Sequence, residues 1–136
     1  MKKFLTLLVA TLLSVVMYAQ IGLGLTEATI KASVKPTETV ETKILDGGIK
    51  LIRITNDYYR KGYFIKDGAC VMYAVLPLTT DACDVFKRVC DSKFEADGTD
   101  RWKTVNNGKI VKIGRIFDSE IGEHLYVFVE DDGKDL

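Results

Sequence analysis

Phe64-Ile65-Lys66-Asp67-Gly68-Ala69-Cys70-Val71-Met72-Tyr73-Ala74-Val75-Leu76-Pro77-Leu78-Thr79-Thr80 is the stretch that decides the fold. Phe64-Ile65 and the run from Cys70 to Leu76 are rich in β-formers. Between them lies Lys66-Asp67-Gly68, where glycine after aspartate supplies the positive φ of a tight hairpin turn. Ala69 to Leu76 is apolar on both alternating faces, as is Leu125 to Val129 further on. Strands apolar on both faces belong in the middle of a sheet, covered on each side.

Pro77 ends the strand, and the periodicity then changes. Thr79 or Thr80 can cap a helix, and Asp81 sits where the helix dipole favours an anion. Ala82, Val85, Phe86 and Val89 recur on one face, with Asp84, Lys87, Arg88 and Asp91 opposite. The spacing predicts one principal helix over about 79–92. Ser92 to Asp97 fits a fraying end before Gly98.

Outward from this unit, two more hairpins are legible. Ile44-Leu45 and Ile49 to Ile54 flank Asp46-Gly47-Gly48; Thr104-Val105 and Lys109 to Ile113 flank Asn106-Asn107-Gly108. A last strand runs from His124 to Glu130. Ala28, Ile30, Ala32 and Val34 alternate with polar residues up to Pro36, which predicts another strand. Thr37 to Thr42 reads as a linker or a frayed strand start. The expected fold class is α+β, a mostly antiparallel sheet of hairpins packed by one principal helix, in a single small domain over 26–136.

The N-terminus has a different character. Met1-Lys2-Lys3 precedes an apolar run from Phe4 to Met17, broken only by Thr6, Thr11 and Ser14. A short basic start before such a run is the export-signal pattern. Cleavage after Ala19, giving a signal over 1–19, is the favoured reading, with a second option after Gly24. The alternative is an uncleaved anchor over 4–25, since about 20 apolar residues span a bilayer. Each reading places the rest of the chain outside the cytoplasm: periplasmic, secreted, or anchored and facing outward. A membrane partner is expected only if the segment stays uncleaved.

Setting aside Lys2 and Lys3, the 19 Lys and Arg residues become 17 against 19 Asp and Glu, a formal charge of −2. A near-neutral domain gives no electrostatic argument for nucleic acid.

An exported chain meets an oxidising compartment, so the three cysteines invite a disulfide. Cys83 and Cys90 are seven apart, about 10.5 Å along a continuous helix. Disulfide-linked Cα atoms lie within about 7 Å. The expected bridge is therefore Cys70 with Cys83 or Cys90, and the remaining thiol reads as a small buried hydrophobe.

Catalytic and metal signatures are weak. His124 is the single histidine, and no hydrolase signature surrounds any cysteine. Cys83, Cys90 and His124 lack the short spacing of zinc sites. Glu120-Ile121-Gly122-Glu123-His124 ends like an inverted zincin motif but has glutamate where histidine is required. Asp91, Glu95, Asp97 and Asp100 fail the calcium-loop pattern, because position 93 is lysine and position 104 is threonine. No metal or cofactor is expected.

The most distinctive segment is Tyr58-Tyr59-Arg60-Lys61-Gly62-Tyr63-Phe64. Interleaved aromatic and basic residues suit a surface that stacks on a ligand. Tyr58, Tyr59, Arg60, Lys61 and Tyr63 are the expected ligand surface, with Arg101 and Trp102 as a second candidate. The sequence thus predicts an exported binding module without a catalytic site, for a protein or glycan partner. Its rivals are a thiol-dependent enzyme using Cys83 or Cys90 with His124, and a membrane-anchored structural component of an envelope or virion.

Overall fold

The computed structural model describes residues 22–131. The expected signal over 1–19 lies outside the described residues. Eight strands form one antiparallel sheet: β1 (Thr39–Ile44), β2 (Lys50–Thr55), β3 (Tyr59–Lys66), β4 (Ala69–Pro77), β5 (Glu95–Ala96), β6 (Arg101–Asn106), β7 (Lys109–Asp118) and β8 (Glu123–Glu130). Among the described residues two α-helices accompany them, α1 (Glu27–Ala32) and α2 (Thr80–Lys93). The strand order is β1-β2-β3-β4-β8-β7-β6-β5. The two runs apolar on both faces, β4 and β8, are neighbours at the centre, as their composition predicts. The fold is the expected α+β sheet with one principal helix.

The turns follow the glycine logic. Asp67 and Gly68 have φ of 52° and 84°, and Asn107 and Gly108 have φ of 52° and 77°. Two consecutive positive φ values make the turn whose twist matches its flanking strands. The β3–β4 pair also carries a bulge: Phe64 pairs with Met72 but Ile65 with Cys70, so Val71 is left over. It is 47% exposed.

Directly opposed residues in antiparallel strands share a face. One line of side chains therefore crosses the sheet through Ile52, Tyr63, Tyr73, Phe128, Ile113 and Trp102. All six are at most 4% exposed. The rings are in contact, with centroids 5.0 Å apart for Tyr63–Tyr73 and 5.3 Å for Tyr73–Phe128.

Helix α2 covers part of this face. Thr79 caps it by accepting from the Ala82 N–H, and Ala82, Val85, Phe86, Val89 and Cys90 are its buried residues. Phe86 stacks on Tyr126 at 4.5 Å, and Asp91 accepts the Trp102 indole N–H at 3.0 Å. Burying a side chain such as Phe86 contributes about 1.5–3 kcal/mol.

The rest of this face is covered by the start of the described chain. Gly24 N–H donates to Cys70 O at 2.8 Å, and Cys70 N–H donates to Leu25 O at 2.9 Å. Leu23 is 3% exposed and Ile30, on α1, is fully buried. Gly22 lies so close to the Tyr63 ring that a Cβ there would stand 2.5 Å from Cε2. Residues 22–25, just ahead of the expected domain start at 26, pack as part of the sheet's covering layer.

Two expectations change. Ala28 to Val34 is not a strand: Glu27–Ala32 is helical, and Thr26 caps it by accepting from Thr29 N–H. The alternation was too short to separate period two from one helical turn that buries Ile30 alone. Nor do the described residues place a helix on both faces of β4. Among the described residues both helices contribute to a single core on one side, and the opposite side of the sheet carries no helix.

Candidate functional site

The expected ligand strand is built inward. Along β3 the burial alternates, and Tyr59, Lys61, Tyr63 and Ile65 point into the core. Tyr59 is 3% exposed, Lys61 6% and Tyr63 0%. Tyr58 is half-buried against the same core. These residues do not form an interleaved aromatic and basic surface, because the pleat sends alternate side chains to opposite faces. Trp102 is likewise buried and held by Asp91. Of the five expected ligand residues only Arg60 faces the uncovered side, where its Nε donates to Thr55 Oγ1 at 3.3 Å.

Lys61 is therefore a core residue with a charge. Its Nζ lies 3.9 Å from Glu38 Oε2, with both side chains under 10% exposed. It also sits 5.4 Å from the centre of the Tyr59 ring. Burial lowers the Lys61 pKa below its ordinary 10.5, and Glu38 opposes the shift. The pair ties the Lys35–Glu38 turn to the underside of the sheet.

The disulfide expectation is also corrected. Cys70, Cys83 and Cys90 are free thiols. Cys70 is the second residue of β4, whereas Cys83 lies beside Leu76 to Thr80 at the strand's other end. Seven strand residues span about 23 Å, far beyond bridging reach. Cys90 precedes Asp91, which reaches Trp102 on β6, and β8 and β7 intervene between β6 and β4. Burial raises the Cys70 pKa to about 11 and the Cys90 pKa to about 12.

Concavities lined by described residues flank the sheet. The first is on the uncovered face, a groove of about 290 Å³. Its apolar lining is Leu51, Phe64, Met72, Ala74, Leu76, Leu125 and Val127, drawn from β2, β3, β4 and β8. Gly62 and Ala74 oppose one another in the register, and Ala74 in turn opposes Val127. This row of small side chains forms a trough between the bulkier rows at Phe64–Met72 and Arg60–Leu76. Arg53 and Arg60 stand at the β2–β3 side, and Asp118 and Ile121 of the β7–β8 turn close the far end. Arg53 is 3.6 Å from Glu41, while Arg60 makes no ion pair among the described residues.

The second concavity, of about 320 Å³, lies at the N-terminal end of α2. It brings together Cys83, Asp84, Arg115, Glu123 and His124, with Thr79 and Thr80. The His124 ring stands edge-on to Phe117 at 5.1 Å. Arg115 is 3.7 Å from Asp100, and its Nε is buried without a hydrogen-bond partner among the described residues. Asp91, Glu95, Asp97 and Asp100 do not converge. Asp91 holds Trp102 and Asp100 holds Arg115. Among the described residues no group of three His, Cys, Asp or Glu side chains is placed to hold a metal ion.

The groove had no local signature. Its residues come from four strands and a turn, and only their shared face unites them. The signal that could have found it is β3 itself: reading Tyr59, Lys61, Tyr63 and Ile65 as one face leaves Arg60, Gly62 and Phe64 on the other.

No family model, curated protein or solved structure matches this chain.

Proposed function

We propose that this chain is an exported binding module, and that its ligand site is the groove on the uncovered face of the sheet. The observation that carries the reading is an apolar trough of about 290 Å³ with two guanidinium groups at one side. Small-molecule sites are concave, mostly apolar and furnished with a few polar groups that fix orientation, and this volume lies just below their range of about 300–1,000 Å³. Arg53 and Arg60 would orient an anionic end, while Leu51, Phe64, Met72, Leu76 and Leu125 would take an apolar body. The ligand class is an amphiphile with a carboxylate or phosphate head. Export is inferred from the basic start and apolar run at the N-terminus.

Calorimetric titration with dodecanoate tests this. Binding should be saturable, dodecylamine should bind at least tenfold more weakly, and Gly62→Leu should abolish the dodecanoate signal. Among the described residues a Cβ at position 62 meets only the side chains of Leu51 and Phe64, at 3.4 Å and 3.7 Å, so the floor can be filled without backbone conflict. Equal affinity for acid and amine, or unchanged binding by Gly62→Leu, would refute the assignment.

A second reading rests on Cys83 and His124 lining one concavity with Arg115. It narrows the thiol-dependent alternative to Cys83, because Cys90 is fully buried. A nucleophilic thiolate needs a base within hydrogen-bond reach and a third group to orient it. Rapid iodoacetamide labelling of Cys83 at neutral pH, slowed by His124→Gln, would support this reading. Slow labelling that ignores His124 would dispose of it.

A further inference from the structure

Strand β1 is an open edge. All six of its residues, Thr39 to Ile44, are exposed, and it pairs only with β2 among the described residues. It contains no proline and no bulge, two of the devices that keep sheet edges from pairing, and its two charges, Glu41 and Lys43, are of opposite sign. Val40 is 41% exposed and Ile44 69%.

The direction of its free hydrogen-bonding groups follows from the register. Leu45 N–H donates to Ile49 O at 2.8 Å, at the end of the ladder where Ile44 opposes Lys50. Hydrogen-bonded and non-hydrogen-bonded pairs alternate along an antiparallel ladder. Thr39, Glu41 and Lys43 therefore direct their amides to β2. Val40, Thr42 and Ile44 direct theirs outward.

We infer that β1 is the interface of a two-fold homodimer, in which β1 of each copy pairs antiparallel about Thr42 and the two sheets become continuous. In this register Thr42 faces its symmetry mate, and Val40 and Ile44 each face the other's counterpart. These are the three residues with outward amides and carbonyls, so the ladder closes with six hydrogen bonds. On the opposite face Glu41 lies across from Lys43 of the second copy. Moving the dyad to Glu41 sets glutamate against glutamate, and moving it to Lys43 sets lysine against lysine. Like charges directly opposed are destabilising. Charge and apolar matching thus select one register out of three. A two-fold contact requires this kind of self-complementarity.

One strand pair buries less than the roughly 1,200 Å² of a stable complex, so the dimer is a weak, reversible one. Sedimentation velocity from micromolar to millimolar concentration should show a monomer–dimer equilibrium for the purified chain with its N-terminus as the cell leaves it. Thr42→Pro should leave the protein monomeric, because the amide it removes points away from β2 and has no partner among the described residues. Glu41→Lys and Lys43→Glu should each raise the dissociation constant at least tenfold, and the double exchange should restore it. Circular dichroism checks that each variant is folded. If Thr42→Pro does not fold, the charge series still decides. A monomer at every concentration, a dimer indifferent to Thr42→Pro, or a double exchange no tighter than its singles would overturn the inference.

Discussion

Lys61 shares its strand face with Tyr59, Tyr63 and Ile65, and its charge is answered mainly by Glu38 at 3.9 Å. Removing one member of a buried pair leaves the other charged and desolvated, whereas removing both can be neutral. Lys61→Met should therefore cost about 3 kcal/mol, and Glu38→Leu with Lys61→Met should recover most of that loss. Urea denaturation of the three variants measures both effects. A single variant as stable as the parent would mean that the pair is solvated. Position 61 also explains why the sequence misleads at β3. A lysine on the buried face and a glycine on the open face blur the alternation, so Tyr58 to Phe64 resembles an exposed patch. The burial of Tyr59 and Tyr63 depends on what lies above them, which no local pattern encodes.

At the scale of elements, α2 was the most legible part of the chain. Its cap at Thr79 and its face of Ala82, Val85, Phe86 and Val89 are as the spacing predicts. Phe86 is fully buried on the ring of Tyr126, so Phe86→Ala should destabilise the fold by about 3–4 kcal/mol. A urea midpoint close to the parent's would show that the helix is not what closes this side. Helix α1 was harder to read. Its signals were Thr26 as a cap and the 3.5 Å Glu27–Lys31 pair four residues apart, and the alternation of Ala28 to Val34 masked them. The segment before it has a structural role too. With Gly22 against Tyr63 and Leu23 buried, Gly22→Leu should destabilise the domain. Cleavage after Gly24 would strip two buried residues from the core, whereas cleavage after Ala19 would keep them. N-terminal sequencing of the purified protein distinguishes the two positions.

For the whole molecule, acid–base behaviour follows from one closely packed sheet face. Cys70 and Cys90 have native pKa values raised by burial to about 11 and about 12 from an ordinary 9.0. Tyr63, Tyr73 and Tyr126 are raised above 10.0, again chiefly by burial. For each group the folded chain keeps a proton that the unfolded chain releases. Their contribution is complete below the unfolded values and is lost as pH rises through the native ones. Stability should fall steadily above pH 9, and a urea midpoint unchanged up to pH 11 would contradict this.

The opposite face is where the fold and its proposed use meet. The central position of β4 and β8 was legible from the two runs apolar on both faces, but the groove was not, because it exists only once β2, β3, β4 and β8 lie side by side. The most direct measurement is a methyl NMR titration of the labelled protein with dodecanoate. Shifts confined to the methyls of Leu51, Met72, Leu76, Leu125 and Val127, with Ile52, Ile54 and Ile113 unmoved, are the predicted result. Shifts centred on those three core isoleucines, or no saturable shift at all, would contradict the proposed site.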